Sequence, residues 1–514
     1  MDLFNLTFET PDWGLIVPQL IVFFTALVLV FSDAFLPARV HYQALTGISL
    51  LGYGASLVAL YWQRGEDTAT FQGSFRADGL TIFLSMVILV AAILSVMVSA
   101  NFVEYFEDRM PLGEYYILLA FSILGAMLVA SAGDLIMIFI GLELSALATY
   151  VLTAYARKRV ESVEGALKYF LLGIFASAIL LYGMAWAYGL SGSTDLDDIR
   201  ASFSEAVAGQ DFLEASVLLA LLLLVVGLGF KIAAVPFHMW TPDAYEGAPT
   251  PVTAYMSVIP KVAGFAALIR ILVQGLGPIS EDWTWLIAVL ALITMAFGNV
   301  VALSQRNVKR MLAYSSIAHT GYIMVGLAAY KEVGGFGAAV DDAVGVGGIS
   351  SVLYYMLAYA FMNIGAFGVL TWLQVRGKGV MLEDMSGLAG THPLPAAAMG
   401  VFMVSLMGIP PLIGFYAKYY VIVAAMQADM EWLAVAIVVL SGVSAYFYLR
   451  VVFMMYFGES LTAARVLATP LLNVAIIVMV VANLALGLFS GGIIDLGDEW
   501  STALTVASNV TGSS

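Results

Sequence analysis

The sequence predicts an all-α membrane protein with about fourteen transmembrane helices. Of its 514 residues, 61% are hydrophobic and 11% are charged, which is more apolar surface than the core of a globular protein can bury. Apolar runs of about 20 residues, the length that crosses a bilayer, also recur along the chain between polar or Gly/Pro-containing breaks. These two observations indicate a single bundle of membrane-spanning helices joined mostly by short loops.

The apolar runs define the candidate helices in chain order. They cover residues 15–35, 42–62, 79–102, 113–131, 134–156, 164–190, 212–235, 251–274, 284–304, 310–330, 349–373, 396–427, 432–457 and 468–490. The segment before the first run, 1–14, contains acidic but no basic residues, so we expect a retained helix rather than a cleaved signal peptide. The twelfth run is too long for one straight crossing, and Pro410-Pro411 predicts a break within it.

A second break is predicted in the seventh helix, at 231–236, five helices before the one in the twelfth. An odd spacing gives the two copies opposite orientations, and paired discontinuous helices in inverted repeats are typical of transporters. Short stretches repeat weakly as well (166–170 with 352–356, 268–271 with 448–451), although chance similarity between apolar helices explains them equally well. We expect three N-terminal helices in 1–111, a five-helix repeat in 112–275, its inverted copy in 276–458, and helix 14 with an outer tail in 459–514.

The distribution of basic residues predicts the orientation. With the N-terminus outside, eleven Lys and Arg residues fall in inner loops and four in outer loops, which agrees with the positive-inside rule and places both termini outside. The formal net charge is −15, and acidic clusters fall in the predicted outer segments, where we interpret them as solvated loops. These clusters are Asp195-Asp197-Asp198, Glu281-Asp282, Asp341-Asp342 and Asp498-Glu499.

Four ionisable residues lie deep inside predicted helices: Glu143, Lys231, Lys261 and Lys418. A charge at the centre of a spanning helix costs roughly 2.5 to 3.5 kcal/mol, so such residues indicate an ion or proton pathway. Burial favours the neutral form of a lysine and a nearby carboxylate favours the charged form, so a lysine with a movable carboxylate partner is a switchable proton site. We predict an ion pair between Glu143 and Lys231. The alternatives are a purely structural pair, or side chains of Lys261 and Lys418 that reach to the lipid headgroups.

Three further residues are weaker candidates. Lys168 follows Glu164 by four positions, so an interfacial ion pair competes with a proton-carrying role. His319 lies in the middle of a helix, where it could relay protons or simply pack. His238, in the predicted re-entrant stretch 236–250, is a candidate for the inner mouth of the pathway. Arg270 and Arg450, nearer helix ends, are interpreted as snorkelling or loop-pairing residues.

The residue types also exclude chemistry. The chain contains no cysteine, so it cannot ligate an iron–sulfur cluster through thiolates or form a disulfide. It has no Walker loop and no HExxH zinc motif, and we expect no metal or cofactor site in this chain. Any redox chemistry that it serves must take place elsewhere.

Four sequence stretches resemble the subunit N family of bacterial NADH:quinone oxidoreductase, respiratory complex I, whose members are antiporter-like membrane subunits. The longest and most specific is KIAAVPFHMWTPDAYEGAPTPVTA at 231–254. The others are KYFLLG at 168–173, QRNVKRMLAYSSIAH at 305–319 and GIPPLIGFYAK at 408–418. A lysine rather than a glutamate in helix twelve, and an end after helix fourteen, favour subunit N over its two larger relatives. The alternatives are a multi-subunit sodium/proton antiporter and the photosynthetic complex I-like enzyme.

The resemblance implies a proton-translocating subunit in a bacterial plasma membrane, next to other membrane-arm subunits. NADH, FMN, iron–sulfur clusters and quinone would then be handled by partner subunits, so that this chain is a non-redox part of the translocase. By position, Glu143, Lys231, Lys261 and Lys418 match the charged residues of the family's helices five, seven, eight and twelve. Lys168 matches a lysine that the family has in helix six. The composition gives no indication of nucleic-acid binding.

Overall fold

The computed structural model describes residues 10–37, 41–100, 102, 112–207, 211–330, 347–377, 379–459, 469–492 and 494–495. The helices are α1 Val17–Phe35, α2 His41–Trp62, α3 Gly79–Ser99, α4 Leu112–Ala130, α5 Leu135–Thr153, α6 Val160–Ser191, α7 Leu196–Val207, α8 Asp211–Ile232, α9 Trp240–Gly247, α10 Thr250–Met256, α11 Ile259–Leu268, α12 Ser280–Ala302, α13 Val308–Ala328, α14 Gly348–Val375, α15 Leu388–Thr391, α16 Pro393–Met407, α17 Ile413–Gln427, α18 Glu431–Phe457 and α19 Pro470–Leu488. A hairpin of β1 Thr68–Thr70 and β2 Phe75–Ala77 lies between α2 and α3.

The predicted fold class is confirmed: the described part of the chain is a helical bundle in which twelve segments are long and apolar enough to cross a membrane. The predicted tenth segment forms α13, which is less apolar than the twelve spans. The predicted twelfth segment is divided into α16 and α17. Both predicted breaks are present, at 233–239 after α8 and at 408–412 between α16 and α17. The predicted termini and the acidic pairs Asp341-Asp342 and Asp498-Glu499 lie outside the described residues.

The predicted eighth membrane span, 251–274, is present as Thr250–Gly275, but it is not one continuous α-helix. The chain forms α10, a break at Ser257-Val258, α11, and then a π-helical segment, Ile269–Gly275. Pro260 lies in the first turn of α11, where its missing N–H would have no helical partner, so a proline there begins a helix rather than continuing one. The amphipathic segment α7 and the short helix α9 were also not predicted from the apolar runs.

The helices are arranged around three central elements. In the most apolar stretch of the segment from α10 through the π-helical turn, and in that of α14, 94% of the residues are buried, and in α3 78% are. By contrast, only one-third of the residues in the corresponding stretches of α1, α18 and α19 are buried. These helices therefore lie at the periphery, with apolar side chains facing outwards. Because the centre is buried, any charge there is enclosed by protein rather than by lipid.

Close helix pairs also hold the bundle together, with α4 along α5, α6 along α8 and α12 along α13. At two of these contacts a glycine allows the backbones to meet. A Cβ on Gly298 of α12 would lie 2.6 Å from the backbone nitrogen of Ala318, and one on Gly125 of α4 would lie 2.6 Å from the carbonyl oxygen of Gly141. Small residues permit this approach in membrane bundles, where van der Waals packing holds helices together.

Candidate functional site: a row of buried cations

Glu143 and Lys231 form an ion pair inside the bundle. Glu143 lies midway along α5 and Lys231 in the last turn of α8, and their Oε1 and Nζ atoms are 2.8 Å apart. The Lys231 side chain is 7% exposed and that of Glu143 is 23% exposed. Ser177 of α6 completes the group, because its hydroxyl donates to Glu143 Oε1 at 2.5 Å and accepts from Lys231 Nζ at 3.1 Å. The sequence predicted the pair but not the serine.

The backbone break next to Lys231 is stabilised by side chains from other elements. The α8 helix ends at Ile232, and Ala233 adopts a positive φ of 62°. The Thr294 hydroxyl of α12 accepts from the Val235 N–H at 3.0 Å, and the Trp240 indole donates to the Phe230 carbonyl at 3.1 Å. Backbone groups released from a helix at membrane depth need such partners, so these side chains stabilise the break.

Lys261 of α11 is 3% exposed and is held by neutral oxygens. Its Nζ donates to the Ser316 carbonyl at 2.7 Å, the Ser316 hydroxyl at 2.6 Å and the Thr320 hydroxyl at 2.8 Å, all on α13. Thr320 in turn donates to the carbonyl of Ile232 at 2.9 Å. One threonine therefore joins the Lys261 amine to the broken end of α8, one residue beyond Lys231.

His319 lies in the same turn of α13 and is surrounded by tyrosines. The hydroxyl of Tyr355 is 2.8 Å from His319 Nδ1, and that of Tyr448 is 3.2 Å from Nε2. Tyr448 is also 2.5 Å from the Ser315 hydroxyl. Both ring nitrogens are thus hydrogen-bonded, an arrangement that fits a relay as well as a packed histidine.

Lys418 of α17 ends the row. Its Nζ donates to the carbonyl of Met407 at 2.9 Å, at the C-terminal end of α16, and lies 4.9 Å from the ring centre of Tyr322. Tyr322 is also an edge-to-face neighbour of His319, with ring centres 5.6 Å apart. The second predicted break therefore supplies a backbone carbonyl to Lys418, as a helix C-terminus can for any cation.

Lys168 does not join this row in the described part of the chain. Its side chain is 45% exposed and pairs with Glu164 at 2.7 Å and with Asp243 at 2.8 Å. Asp243 also accepts from Arg310 at 2.8 Å, and Arg310 pairs with Glu246 at 2.7 Å. The structure thus contains the interfacial Glu164 pair that competes with a proton-carrying role, extended into a network over α6, α9 and α13.

Burial opposes ionisation of Asp243, but the hydrogen bonds from Lys168 and Arg310 outweigh it and hold the pKa of this carboxyl below its ordinary value. His238 lies separately, in the break between α8 and α9, with its ring centre 4.5 Å from that of Phe297. It is 9% exposed, so it is close to the break without facing open solvent.

Two buried cations were not recognised from the sequence. Arg270, interpreted there as a snorkelling or loop-pairing residue, is fully buried and pairs at 2.6 Å with Asp78 in the bend before α3, so it pairs with a connecting residue and does not snorkel. Arg450 does bond a loop, through the carbonyls of Leu303 and Gln305. Lys309 is 1% exposed and donates to the carbonyls of Glu246 and Ala248 at 3.1 and 2.5 Å. Because Lys309 lies beside Arg310 in a basic stretch, the sequence suggested an exposed loop residue.

The comparisons with known proteins identify the family. Residues 132–444 match the family described as NADH:quinone oxidoreductase/Mrp antiporter, TM. The chain is 39% identical over 496 residues to NADH-quinone oxidoreductase subunit N 1 of Solibacter usitatus, covering 96% of this chain and 98% of the relative. It is 41% identical over 490 residues to subunit N 2 of Rhizobium meliloti, covering 95% and 98%.

Solved structures agree. A chain of the respiratory complex I from Thermus thermophilus superposes with a TM-score of 0.75 at 32% identity, covering 94% of this chain and all of that one. A chain of the Mrp complex from Dietzia sp. has a TM-score of 0.81 at 23% identity, covering 97% and 99%, which shows a shared fold. This chain belongs to the NADH:quinone oxidoreductase/Mrp antiporter membrane-subunit family, among its subunit N members.

Proposed function

We propose that this chain carries protons across the membrane as a non-redox subunit of a bacterial NADH:quinone oxidoreductase. Partner subunits hold NADH, FMN, iron–sulfur clusters and quinone, and their electron transfer drives the proton movement here. The observation that carries the proposal is the Glu143–Lys231 ion pair, 2.8 Å long, placed one residue from a break in α8. A charged pair beside an opened backbone is suited to alternate between closed and separated states.

The first step is the release of a proton from Lys231. While Glu143 and Ser177 hold the ammonium, its charge is compensated within the bundle. A rearrangement that draws Glu143 away leaves this charge uncompensated, and the ammonium then donates its proton. The 23% exposure of the Glu143 side chain supports the idea that a neighbouring subunit acts on the carboxylate.

The second step passes the proton along the row. Lys261 lies among neutral oxygens, and Thr320 holds its amine next to the Ile232 carbonyl at the same break. From Lys261 the path continues past His319 and Tyr322 to Lys418. The exchanged proton moves between amine, imidazole and hydroxyl groups with cavity water filling the gaps, so no bond other than N–H and O–H changes.

The test is the substitution Lys231→Ala in the assembled complex, reconstituted in vesicles. We expect NADH-driven proton uptake per NADH oxidised to fall, because the donor of the first step is gone. Lys158→Ala, which removes an exposed loop lysine, is the matched control and should leave this ratio unchanged. Unchanged uptake at unchanged turnover in Lys231→Ala would refute the role. Sodium-dependent transport without NADH would instead support the antiporter alternative.

A further inference from the structure

A cleft with a volume of about 590 Å³ lies away from the row of buried cations, where α14 ends and α16 and α19 begin. One end of the cleft, its head, is lined by polar and aromatic residues, and the rest, its body, is lined by aliphatic ones. The residues that matter here are Trp372, Arg376, His392, Ala397, Ile477 and Val481. It therefore combines a polar head and an apolar body in one site.

The head of the cleft carries a fixed cation. Arg376 is 6% exposed, its guanidinium lies 3.7 Å from the ring centre of Trp372, and it donates to the Trp372 carbonyl at 3.1 Å and to the Thr469 hydroxyl at 3.0 Å. The His392 ring packs edge-on against the same indole, with ring centres 5.1 Å apart. Tryptophan and basic residues of this kind are typical of the membrane–water interface.

Two helices have their N-termini at the same end of the cleft as Arg376. Helix α16 begins at Pro393 and helix α19 at Pro470, directly after Thr469, which bonds Arg376. The first turn of a helix carries a partial positive charge. Together with Arg376, these two N-termini make the head of the cleft electropositive, so its charge is complementary to that of an anion.

The body of the cleft is apolar and open towards the bilayer. Ile477 and Val481 are four residues apart on α19, so they lie on one face, and they are 61% and 56% exposed. Ala397 and Leu394 form the opposing wall on α16, and Leu394 is 82% exposed. Such aliphatic walls suit a hydrocarbon chain that lies along the helices.

We propose that this cleft binds one anionic phospholipid, with its phosphate at Arg376 and His392 and an acyl chain between α16 and α19. A charged head next to an apolar groove fits a lipid better than a soluble anion, which would leave the groove empty. Basic pockets between transmembrane helices bind anionic headgroups by the same combination. The site does not depend on the proton-carrying role of the buried lysines.

The test measures lipid retention by the full-length chain, purified in detergent and stripped of lipid. Native mass spectrometry is recorded during titration with phosphatidylglycerol and, separately, with phosphatidylcholine of the same acyl chains. We expect one phosphatidylglycerol to bind at concentrations where phosphatidylcholine does not. Arg376→Gln should weaken this binding about tenfold, which corresponds to roughly 1.4 kcal/mol.

The matched control is Arg64→Gln, which removes an exposed arginine stacked 5.0 Å from Tyr61 and distant in sequence from the cleft. It should bind phosphatidylglycerol as the unchanged protein does. Ala397→Trp fills the apolar groove and leaves the charges in place, so it should also weaken binding and decides the matter if Arg376→Gln does not fold. Equal binding of both lipids, or unchanged phosphatidylglycerol binding in Ala397→Trp and any folded Arg376→Gln, would overturn the proposal.

Discussion

Arg270 and Asp78, 192 positions apart, form a buried bidentate ion pair that joins the π-helical segment to the N-terminus of α3. Nη1 and Nη2 donate to the two carboxylate oxygens at 2.6 and 2.8 Å, and Nη2 also donates to the carbonyl of Ala130 at 3.0 Å. Asp78 simultaneously accepts from the Thr81 N–H at 2.8 Å, which caps α3. The pair thus links three elements of the bundle.

Replacing Arg270 by methionine should destabilise the protein strongly. The change leaves the Asp78 carboxylate buried without its cation, and breaking a buried pair from one side costs about 3 to 5 kcal/mol. The unfolding temperature in detergent, or the denaturant midpoint, measures the loss. Arg64→Met is the control, since this arginine is exposed. The double change Arg270→Met with Asp78→Leu should recover part of the stability; a double variant as unstable as the single one would contradict this account.

The sequence could predict the helices because the membrane requires long apolar runs, and it could predict Lys231 because a lysine within such a run is conspicuous. It could not supply the partner of Arg270. Asp78 precedes its helix and looks like a cap, so nothing local connects it to Arg270. The break at Ser257-Val258 was missed because the flanking residues are apolar. The division into two inverted repeats remains a prediction.

Ser177→Ala should reduce proton uptake per NADH oxidised while leaving the protein folded. The hydroxyl bonds both Glu143 and Lys231, so without it the ion pair loses its fixed geometry. We expect a partial loss, smaller than in Lys231→Ala, because the charges remain. Ser56→Ala is the control, since Ser56 also makes a buried hydrogen bond, to Pro18, but in another part of the bundle. An effect equal in both variants would indicate general damage to packing.

The substitution Thr320→Val should lower proton uptake per NADH oxidised more than the substitution Thr320→Ser does. Valine keeps the shape but removes the hydroxyl that bonds Lys261 and the Ile232 carbonyl, whereas serine keeps it. The buried amine then loses one of three acceptors, a loss of about 1 to 3 kcal/mol. Proton uptake and NADH oxidation are measured together in vesicles that contain the assembled complex. If the valine and serine variants behave alike, the hydroxyl has no part in the pathway.

Acid should weaken the network around Asp243. Lys168 and Arg310 hold the folded-state pKa of Asp243 below its ordinary value of 3.8, so the carboxylate contributes stability above that pH. This contribution is lost as the pH falls from about 4 through the folded-state value. Asp243→Asn should therefore lower the unfolding temperature at pH 7 and flatten its decline below pH 4. Glu114→Gln, which removes one exposed ion pair with Arg157, should leave both nearly unchanged. If the unfolding temperature depends on pH in the same way in Asp243→Asn and in the unchanged protein, this prediction is refuted.

Gly408→Ala tests whether the second break positions Lys418. Gly408 ends α16 with a φ of +90°, and a Cβ there would lie 3.0 Å from Lys418 Cδ, so the lysine side chain would have to shift by a few tenths of an ångström, which disturbs its bond to the Met407 carbonyl. Gly192, with a φ of +73° and nothing within 4 Å of an added Cβ, supplies a control with backbone strain alone. Strain of this kind costs about 1 to 2 kcal/mol in either variant. Both should therefore lower the unfolding temperature, but only Gly408→Ala should lower proton uptake per NADH oxidised. Equal uptake in the two variants would mean that the break serves only to end the helix.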